Sequence, residues 1–433
     1  MDTDAGHVLV YGADRSIEEK VSLDELRSAY PDAALVWAHP LRDGRIPAEE
    51  RLKDPRFDAI EIFSSNHTQL ENYHGLRLWH RYKFTAISGS DTHAVDTAGI
   101  LPCQFDHPVS TIGDVVTELK SGRCRPFYKE IPRAGSTIVV NEIIFGTKGD
   151  DESRSRIILK APARPSRWRS IKRSSKISQF LYDKGFARGA YRVPKMLDID
   201  DDEQLVIEEG QRGKSLFDLM IQVNPSIGRR YFTLAAMWLA QLHAKRIRPK
   251  AAADAKKREK KRFASYLGAF SDTDNPYMHE VQRLITAVEA AEDEIFSSGA
   301  DSFVLVHGDY HPKNIIIGQD RMHDVSTLFI SVIDFAGAML FHRAFDVGYF
   351  IAQFYNQFRG YEHVIDQYRK EDFIQTYLEN YGEDDPRAFN RAVNLFQIRA
   401  NLSIGTYLIK VGKGTSEDMD QIISQSVTLL DEV

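Results

Sequence analysis

The first 130 residues alternate short apolar runs with amphipathic stretches. Ala34-Leu35-Val36-Trp37-Ala38 and Ala59-Ile60-Glu61-Ile62-Phe63 are apolar enough to be buried strands. Ser22–Tyr30 and Ile112–Lys120 instead carry apolar residues at helical spacing. This alternation predicts an α/β module with a mainly parallel sheet. The rhythm stops at Lys129-Glu130-Ile131-Pro132-Arg133-Ala134-Gly135-Ser136, a stretch with Pro, Gly and Ser that marks a boundary. Beyond it, Thr137–Phe145 and Arg156–Ala161 predict a strand hairpin whose loop holds Gly146 and Gly149. A helix is expected over Ser174–Lys184, then a strand pair over Tyr191–Leu197 and Gln204–Glu208. From Ser226 the periodicity is helical, apart from strand-like runs near 303–334. The pattern therefore predicts a front module (1–130), a linker (131–136), a small β-rich lobe (137–212) and a large helical lobe (213–433).

Composition narrows the class. With 42% apolar and 27% charged residues in 433, the chain is globular in type, and wholesale disorder is excluded. No apolar run reaches the ~18 residues of a membrane span. The N-terminus is acidic and lacks the basic-then-apolar order of a secretory signal. Cys103 and Cys124 are the two cysteines, too few for a disulfide scaffold, so a reducing cytoplasm is expected. A net charge of −6 excludes a generic nucleic-acid coat. That charge is unevenly spread: residues 1–130 hold 15 Lys/Arg, 21 Asp/Glu and seven of the 14 histidines. The remainder is neutral overall, yet it contains two basic windows, 153–176 and 245–262. These read either as solvated loop and helix faces or as a field that steers an anionic substrate or polyanionic partner.

The chemistry concentrates in Val306-His307-Gly308-Asp309-Tyr310-His311-Pro312-Lys313-Asn314 and in Ile333-Asp334-Phe335. Asp309 follows one strand, Asn314 opens the next, and Asp334 closes a neighbouring one. One carboxylate to orient a hydroxyl, with an amide and a second carboxylate to hold Mg²⁺, is what phosphoryl transfer from ATP requires. These residues resemble the brace of the aminoglycoside phosphotransferase and choline kinase family, H-G-D-x-x-x-x-N followed by I-D-F/W. The resemblance covers about 137–433 and implies a two-lobed protein-kinase-like fold using ATP and Mg²⁺. It implies Asp309 as catalytic base, Asn314 and Asp334 as Mg²⁺ ligands, and His307 as support for the catalytic loop. Lys160, closing Arg156-Ile157-Ile158-Leu159-Lys160, matches the lysine that meets the ATP phosphates. Leu205–Leu216 resembles the interlobe hinge, with the backbone of Glu208 and Gly210 as adenine contacts. His243 matches a packing histidine and Asp346 a structural aspartate. In one departure, Ser170–Gly185 contains no Glu to pair with Lys160; Gln179 or a partner from elsewhere must serve.

In the front module, His7, His39, Asp91 and His93 sit at strand-end positions. Asp91 and His93, two apart in an extended segment, can present oxygen and imidazole to one metal. The pattern resembles the polymerase-and-histidinol-phosphatase (PHP) family over residues 1–127. That resemblance implies part of a (β/α) barrel, with His7, His39, Asp91 and His93 as a residual Zn²⁺ or Mn²⁺ site. The family's opening D-x-H-x-H element has no counterpart before His7, so the module is expected to be inactive as a hydrolase. Its open sheet edges would invite a second copy, a partner chain or the kinase-like module.

The fold expected is thus α/β plus α+β, a partial barrel followed by a kinase-like pair of lobes. The function expected is an ATP- and Mg²⁺-dependent phosphotransferase acting on a hydroxyl of a small metabolite or antibiotic-like substrate. Neither nucleic acid nor membrane is an expected partner. The alternatives are a nucleotide-binding pseudokinase with a regulatory or scaffolding role, and a metal-dependent phosphoesterase working through the front module.

Overall fold

The computed structural model describes residues 2–15, 20–92, 99, 101–127, 129–130, 138–145, 155–271, 275–298, 302–321, 324–382 and 385–433. His93, the linker 131–136, Gly146 and Gly149 lie outside the described residues. The chain forms two compact units, Met1–Pro165 with Asp198–Gly210, and Ser166–Leu197 with Gln211–Val433.

In the first unit, β1 (Asp2–Thr3), β2 (Gly6–Tyr11), β3 (Ala34–Trp37), β4 (Ala59–Ser64) and β5 (Ala86–Gly89) form one sheet in sequence order. β1, β2 and β3 are antiparallel neighbours, whereas β3–β4 and β4–β5 are parallel. β3 and β4 are buried along their whole length, which is why their sequences run apolar instead of alternating. The helices α1 (Leu23–Ala29), α2 (Gln69–Tyr82) and α3 (Ile112–Lys120) each start at a capping box, Ser22 with Glu25, Thr68 with Glu71 and Thr111 with Asp114. In each, two backbone N–H groups that the helix leaves unpaired find side-chain acceptors. The partial barrel expected for this region is corrected to an open sheet. The antiparallel return of β2 limits the parallel run to three strands, and among the described residues β1 and β5 are its edges.

A second sheet in this unit has the order β8 (Met196–Asp200), β9 (Leu205–Glu209), β7 (Ser155–Pro162), β6 (Ile138–Phe145) and the short strand Lys129–Glu130. Its antiparallel register sets Ile158 opposite Glu208 and Lys160 opposite Val206. Ion pairs from α2, Arg77 with Asp198 at 3.2 Å and Lys83 with Glu203 at 2.8 Å, tie it to the front helices. Tyr191–Arg192 does not join this sheet as the sequence pattern suggested. It runs parallel to a strand of the second unit, opposite Ile330 and Ser331.

The second unit is mainly helical. α4 (Trp168–Leu181) begins six residues earlier than the spacing predicted, after a 3₁₀ turn at Pro165–Arg167. α5 (Pro225–Ala244) is capped by Asn224 with Pro225 in its first turn. β10 (Val304–Val306) pairs antiparallel with β13 (Met339–Phe341), and β11 (Ile315–Gln319) with β12 (Leu328–Val332). Trp238 of α5 is fully buried, stacks on Tyr310 at 5.7 Å between ring centroids, and donates from Nε1 to the carbonyl of Arg192. Truncating a buried indole of this kind costs ~3–5 kcal/mol. Phe186 and Phe335 pack against it, and Phe350 against Tyr310, so the loops carrying the polar brace rest on a solid apolar floor.

Candidate functional site

β10 is three buried valine and leucine residues, and at its end the chain must turn at once. Gly308 adopts φ +77°, and a Cβ there would overlap the carbonyl oxygen of Gly337. Glycine is therefore required by close backbone approach. Asp346, in the helix Ala344–Gln357, fixes this turn. Its carboxylate accepts from His307 N at 2.6 Å and Gly308 N at 2.8 Å, and lies 3.2 Å from His243 Nε2. His243 Nδ1 meets the Tyr377 hydroxyl at 2.8 Å, and burial holds this imidazole below its ordinary pKa. His307 joins the loops on either side. Its Nδ1 accepts from Asp309 N at 3.2 Å, which leaves Nε2–H to donate to Ile333 O at 3.0 Å.

Asp309 thus emerges with a defined orientation. Its Oδ1 accepts from the Tyr349 hydroxyl at 2.6 Å. Asn314 Nδ2 donates to the Asp309 carbonyl at 3.0 Å and approaches Oδ2 at 3.4 Å. His311 Nε2 is 3.7 Å from Oδ2. Burial pushes the Asp309 carboxyl up, but His311, the Tyr349 hydroxyl, His307 and Arg262 outweigh it, so the group sits below the usual carboxylate range and is ionised at neutral pH. Asp334 follows β12 with φ +68° and ψ +69°, a left-handed conformation rare for a residue with a side chain, and its Oδ1 lies 3.4 Å from Ala336 N. Asn314 is buried with its amide donor turned to Asp309. Its remaining Oδ1 and the Asp334 carboxylate are hard oxygen donors of the kind Mg²⁺ takes, so the residues present fit that ion.

Tyr349 was not singled out from the sequence. Its signal was available: it lies three residues after Asp346 on a helix, which puts both side chains on one face.

Lys160 and Glu208 form an ion pair within the first unit, both largely buried. A carboxylate from the neighbouring strand β9 therefore takes the ammonium. Gln179, within the second unit, donates from Nε2 to Asp183 one turn on, at 2.8 Å. The Gly210 N–H donates to Arg156 O at 2.8 Å, just beyond the β7–β9 register.

The front residues line a cavity of about 720 Å³ in the first unit, with Glu61, Tyr11, Ser88 and Cys103 in its wall. Of the expected ligand set, His7, His39 and Asp91 line this cavity, and His93 lies outside the described residues. His7 Nδ1 and His39 Nε2 lie 3.1 Å apart and satisfy each other, while Asp91 is held by Arg42 at 2.5 Å and Asn66 at 2.8 Å. Among the described residues no group of three His, Cys, Asp or Glu could hold a metal ion. The buried Glu61 carboxyl is pushed up to about 7, by burial first and by Asp91, against the His39 N–H it accepts at 2.7 Å and the charge of Arg42.

A family model described as the phosphotransferase enzyme family, APH, matches residues 147–390. The match takes in more than half of the chain, which therefore belongs to that family. A choline kinase from Cryptosporidium parvum is similar at 14% identity and TM-score 0.49, over 71% of this chain and 89% of that one. An ethanolamine kinase from Plasmodium vivax is similar at 20% identity and TM-score 0.45, over 71% and 84%. A streptomycin–ATP complex of the phosphotransferase APH(2'')-IIa is similar at 17% and 0.44, over 66% and 93%. No curated protein matches the chain. The family match makes the chain a phosphotransferase. Among the described residues, no helix is long and apolar enough to cross a membrane.

Proposed function

We propose that this chain transfers the γ-phosphoryl group of ATP, with Mg²⁺, to a hydroxyl of a small molecule, with Asp309 as the base. The observation that carries the reading is the ionised Asp309 carboxylate, fixed by Tyr349 on a turn that Asp346 pins from beneath. Asp309 orients the acceptor hydroxyl and takes its proton. The oxygen forms a bond to the γ-phosphorus as the bond to the β–γ bridging oxygen breaks, and that electron pair leaves with ADP. Asn314 and Asp334 would hold Mg²⁺, which supplies neutralisation of the phosphate charge when bound. Lys160, oriented by Glu208, is assigned to the nucleotide phosphates. The adenine contact is assigned to the backbone of Glu208 and Gly210.

The domain reading is 1–130 as a non-hydrolytic front module, 131–136 as linker, and 137–212 with 213–433 as the two lobes. Its motifs place residues 1–130 nearest to a remnant of the PHP type, and the self-satisfied His7–His39 pair supports loss of metal chemistry there. Two unpaired cysteines agree with a cytoplasmic setting. The second reading is a nucleotide-binding pseudokinase, favoured by the Lys160 ammonium being engaged by Glu208 instead of a helix carboxylate. ADP release measured across a panel of hydroxyl compounds separates the two. Transfer that disappears in Asp309→Asn supports the kinase; nucleotide binding without Asp309-dependent transfer to any acceptor supports the pseudokinase.

A further inference from the structure

The basic window at 245–262 separates into side chains with different destinations. On α6 (Ala255–Ser271), Lys256, Lys257, Lys260 and Lys261 are exposed, whereas Arg258, Glu259 and Arg262 share the inner face with Phe263 and Tyr266. Arg258 Nη1 donates to Gly337 O at 2.5 Å, and Arg173 Nη2, from α4, donates to the adjacent Ala336 O at 2.6 Å. Gly337 is the residue whose backbone presses on Gly308, and Gly308 precedes Asp309. The Arg258 guanidinium therefore sits one backbone layer from the base, and Arg262 lies one turn further along the same face.

These cations are poorly matched by anions. Arg399, fully buried, takes Glu259 with two bonds of 2.7 and 2.9 Å, and Arg262 reaches that same carboxylate at 3.5 Å. The nearby Glu292 carboxyl is pushed up to about 9 by burial and by Glu259, so it is neutral at pH 7. Arg258, Arg262 and Arg399 thus share the one Glu259 carboxylate, and Arg262 also acts on Asp309. Burial, with Arg262 and Arg173, lowers Arg258 to about 10, as expected of a cation short of counter-charge. Partly buried charge of one sign is stable when a ligand completes it. Arginine, with its planar fork, is the side chain suited to an oxyanion.

We propose that Arg258 and Arg262 form an oxyanion-binding subsite beside Asp309, so that the acceptor alcohol also carries a phosphate, sulfate or carboxylate group. This rests on the kinase reading above and names the substrate class of that site. The γ-phosphate of ATP is the other source of the same chemistry, and the experiment separates the two.

The first arm compares one sugar in three forms as acceptor, neutral, phosphorylated and aminated, using glucose, glucose 6-phosphate and glucosamine. The phosphorylated form should have the highest kcat/KM. Arg262→Met should raise its KM by about 10–100-fold, the range for loss of a charge-assisted hydrogen bond, with little change in the KM for ATP. Preference for the neutral or aminated sugar, or a rise confined to the KM for ATP, overturns the proposal. The second arm works if none of these sugars is turned over. With Mg²⁺ and a non-hydrolysable ATP analogue filling the nucleotide site, inorganic sulfate is titrated and thermal stability is read. Wild type and the control Lys260→Ala should gain more than Arg262→Met; equal gains overturn the subsite. Loss of the kinase reading shows separately, as transfer that survives Asp309→Asn. Arg262 is the primary variant because Arg258 also holds the Gly337 backbone and its removal endangers the fold.

Discussion

The turn around Asp309 and the cluster around His39 use the same side-chain types, carboxylates and imidazoles at strand ends, yet one is poised and the other is closed on itself. At Asp309 the supporting groups anchor to backbone: Asp346 to two amides, His307 to an amide and a carbonyl, Asn314 to a carbonyl. That leaves the Asp309 carboxylate, positioned but not neutralised, for a substrate. In the front cavity the polar side chains engage each other: His7 with His39, Asp91 with Arg42. A functional site needs its supporting hydrogen bonds spent on the scaffold, so that the reacting group keeps capacity for the ligand.

The largest effect expected from this contrast is on rate. Asp309→Asn removes the base and should lower kcat by ~10²–10⁴-fold, as read by ADP release, with calorimetry showing that the variant still unfolds cooperatively. His39→Ala, by comparison, should leave transfer within about twofold. Equal loss in both would mean that the front cluster takes part in catalysis and would end the comparison.

The next test concerns stability. Gly308→Ala places a Cβ against the Gly337 carbonyl at φ +77°, and neither backbone can yield. About 3 kcal/mol or more should be lost in urea unfolding, from strain and overpacking together. Gly89→Ala in the front sheet meets only the Oε1 end of the Glu61 side chain, which can swing away, so ~1 kcal/mol is expected there. A Gly89 cost as large as that at Gly308 would show the front cavity to be as rigidly built as the brace.

The two regions should also respond to pH with opposite sign. Glu61 has a folded pKa raised to about 7. Its contribution is fully present below its unfolded pKa and is lost as pH rises through about 7. Glu61→Gln should therefore gain on wild type by up to ~3 kcal/mol between pH 4.5 and 8, read by hydrogen exchange in β3–β5 of the full chain. Asp309 is lowered, so its contribution is present above its unfolded pKa and is lost as pH falls. A wild-type minus Glu61→Gln difference that is flat with pH would show Glu61 to be solvated.

Much of the second unit could be read from the chain because local rules and tertiary demands agree there. The spacing from His307 to Asn314 is fixed by one turn between two short strands, and Asp334 by the strand after. The contacts that sequence could not supply are those set by packing between distant segments. Glu208 as partner of Lys160 follows from antiparallel register, in which residues 158 and 208 lie opposite. The split of the basic window into exposed lysines and inward arginines depends on the rotation of α6, which composition alone does not reveal. In the front module the order of histidines and carboxylates suggested a metal shell, and the sheet topology brings His7, His39 and Asp91 to one cavity wall; the engagement of Asp91 by Arg42 is a long-range contact that no spacing predicts.

Tyr349→Phe is the finest probe of the comparison, because it deletes one oxygen from the poised site without touching the acid. The hydroxyl donates to Asp309 Oδ1 at 2.6 Å and is one of the groups that hold this carboxyl low. Its loss should cost ~1–2 kcal/mol of transition-state positioning, about 5–30-fold in kcat/KM. Removing a group that lowers the pKa must raise it, so the acid limb of the pH–rate profile should move to higher pH. Gln353 Nε2, 3.4 Å from that hydroxyl, loses its acceptor as well, and part of the cost is expected as stability. A drop in rate with an unmoved acid limb would assign Tyr349 to packing alone. A moved limb would show that the order of the site comes from donors on the scaffold acting on one charged oxygen, which the self-paired histidines of the front module do not provide.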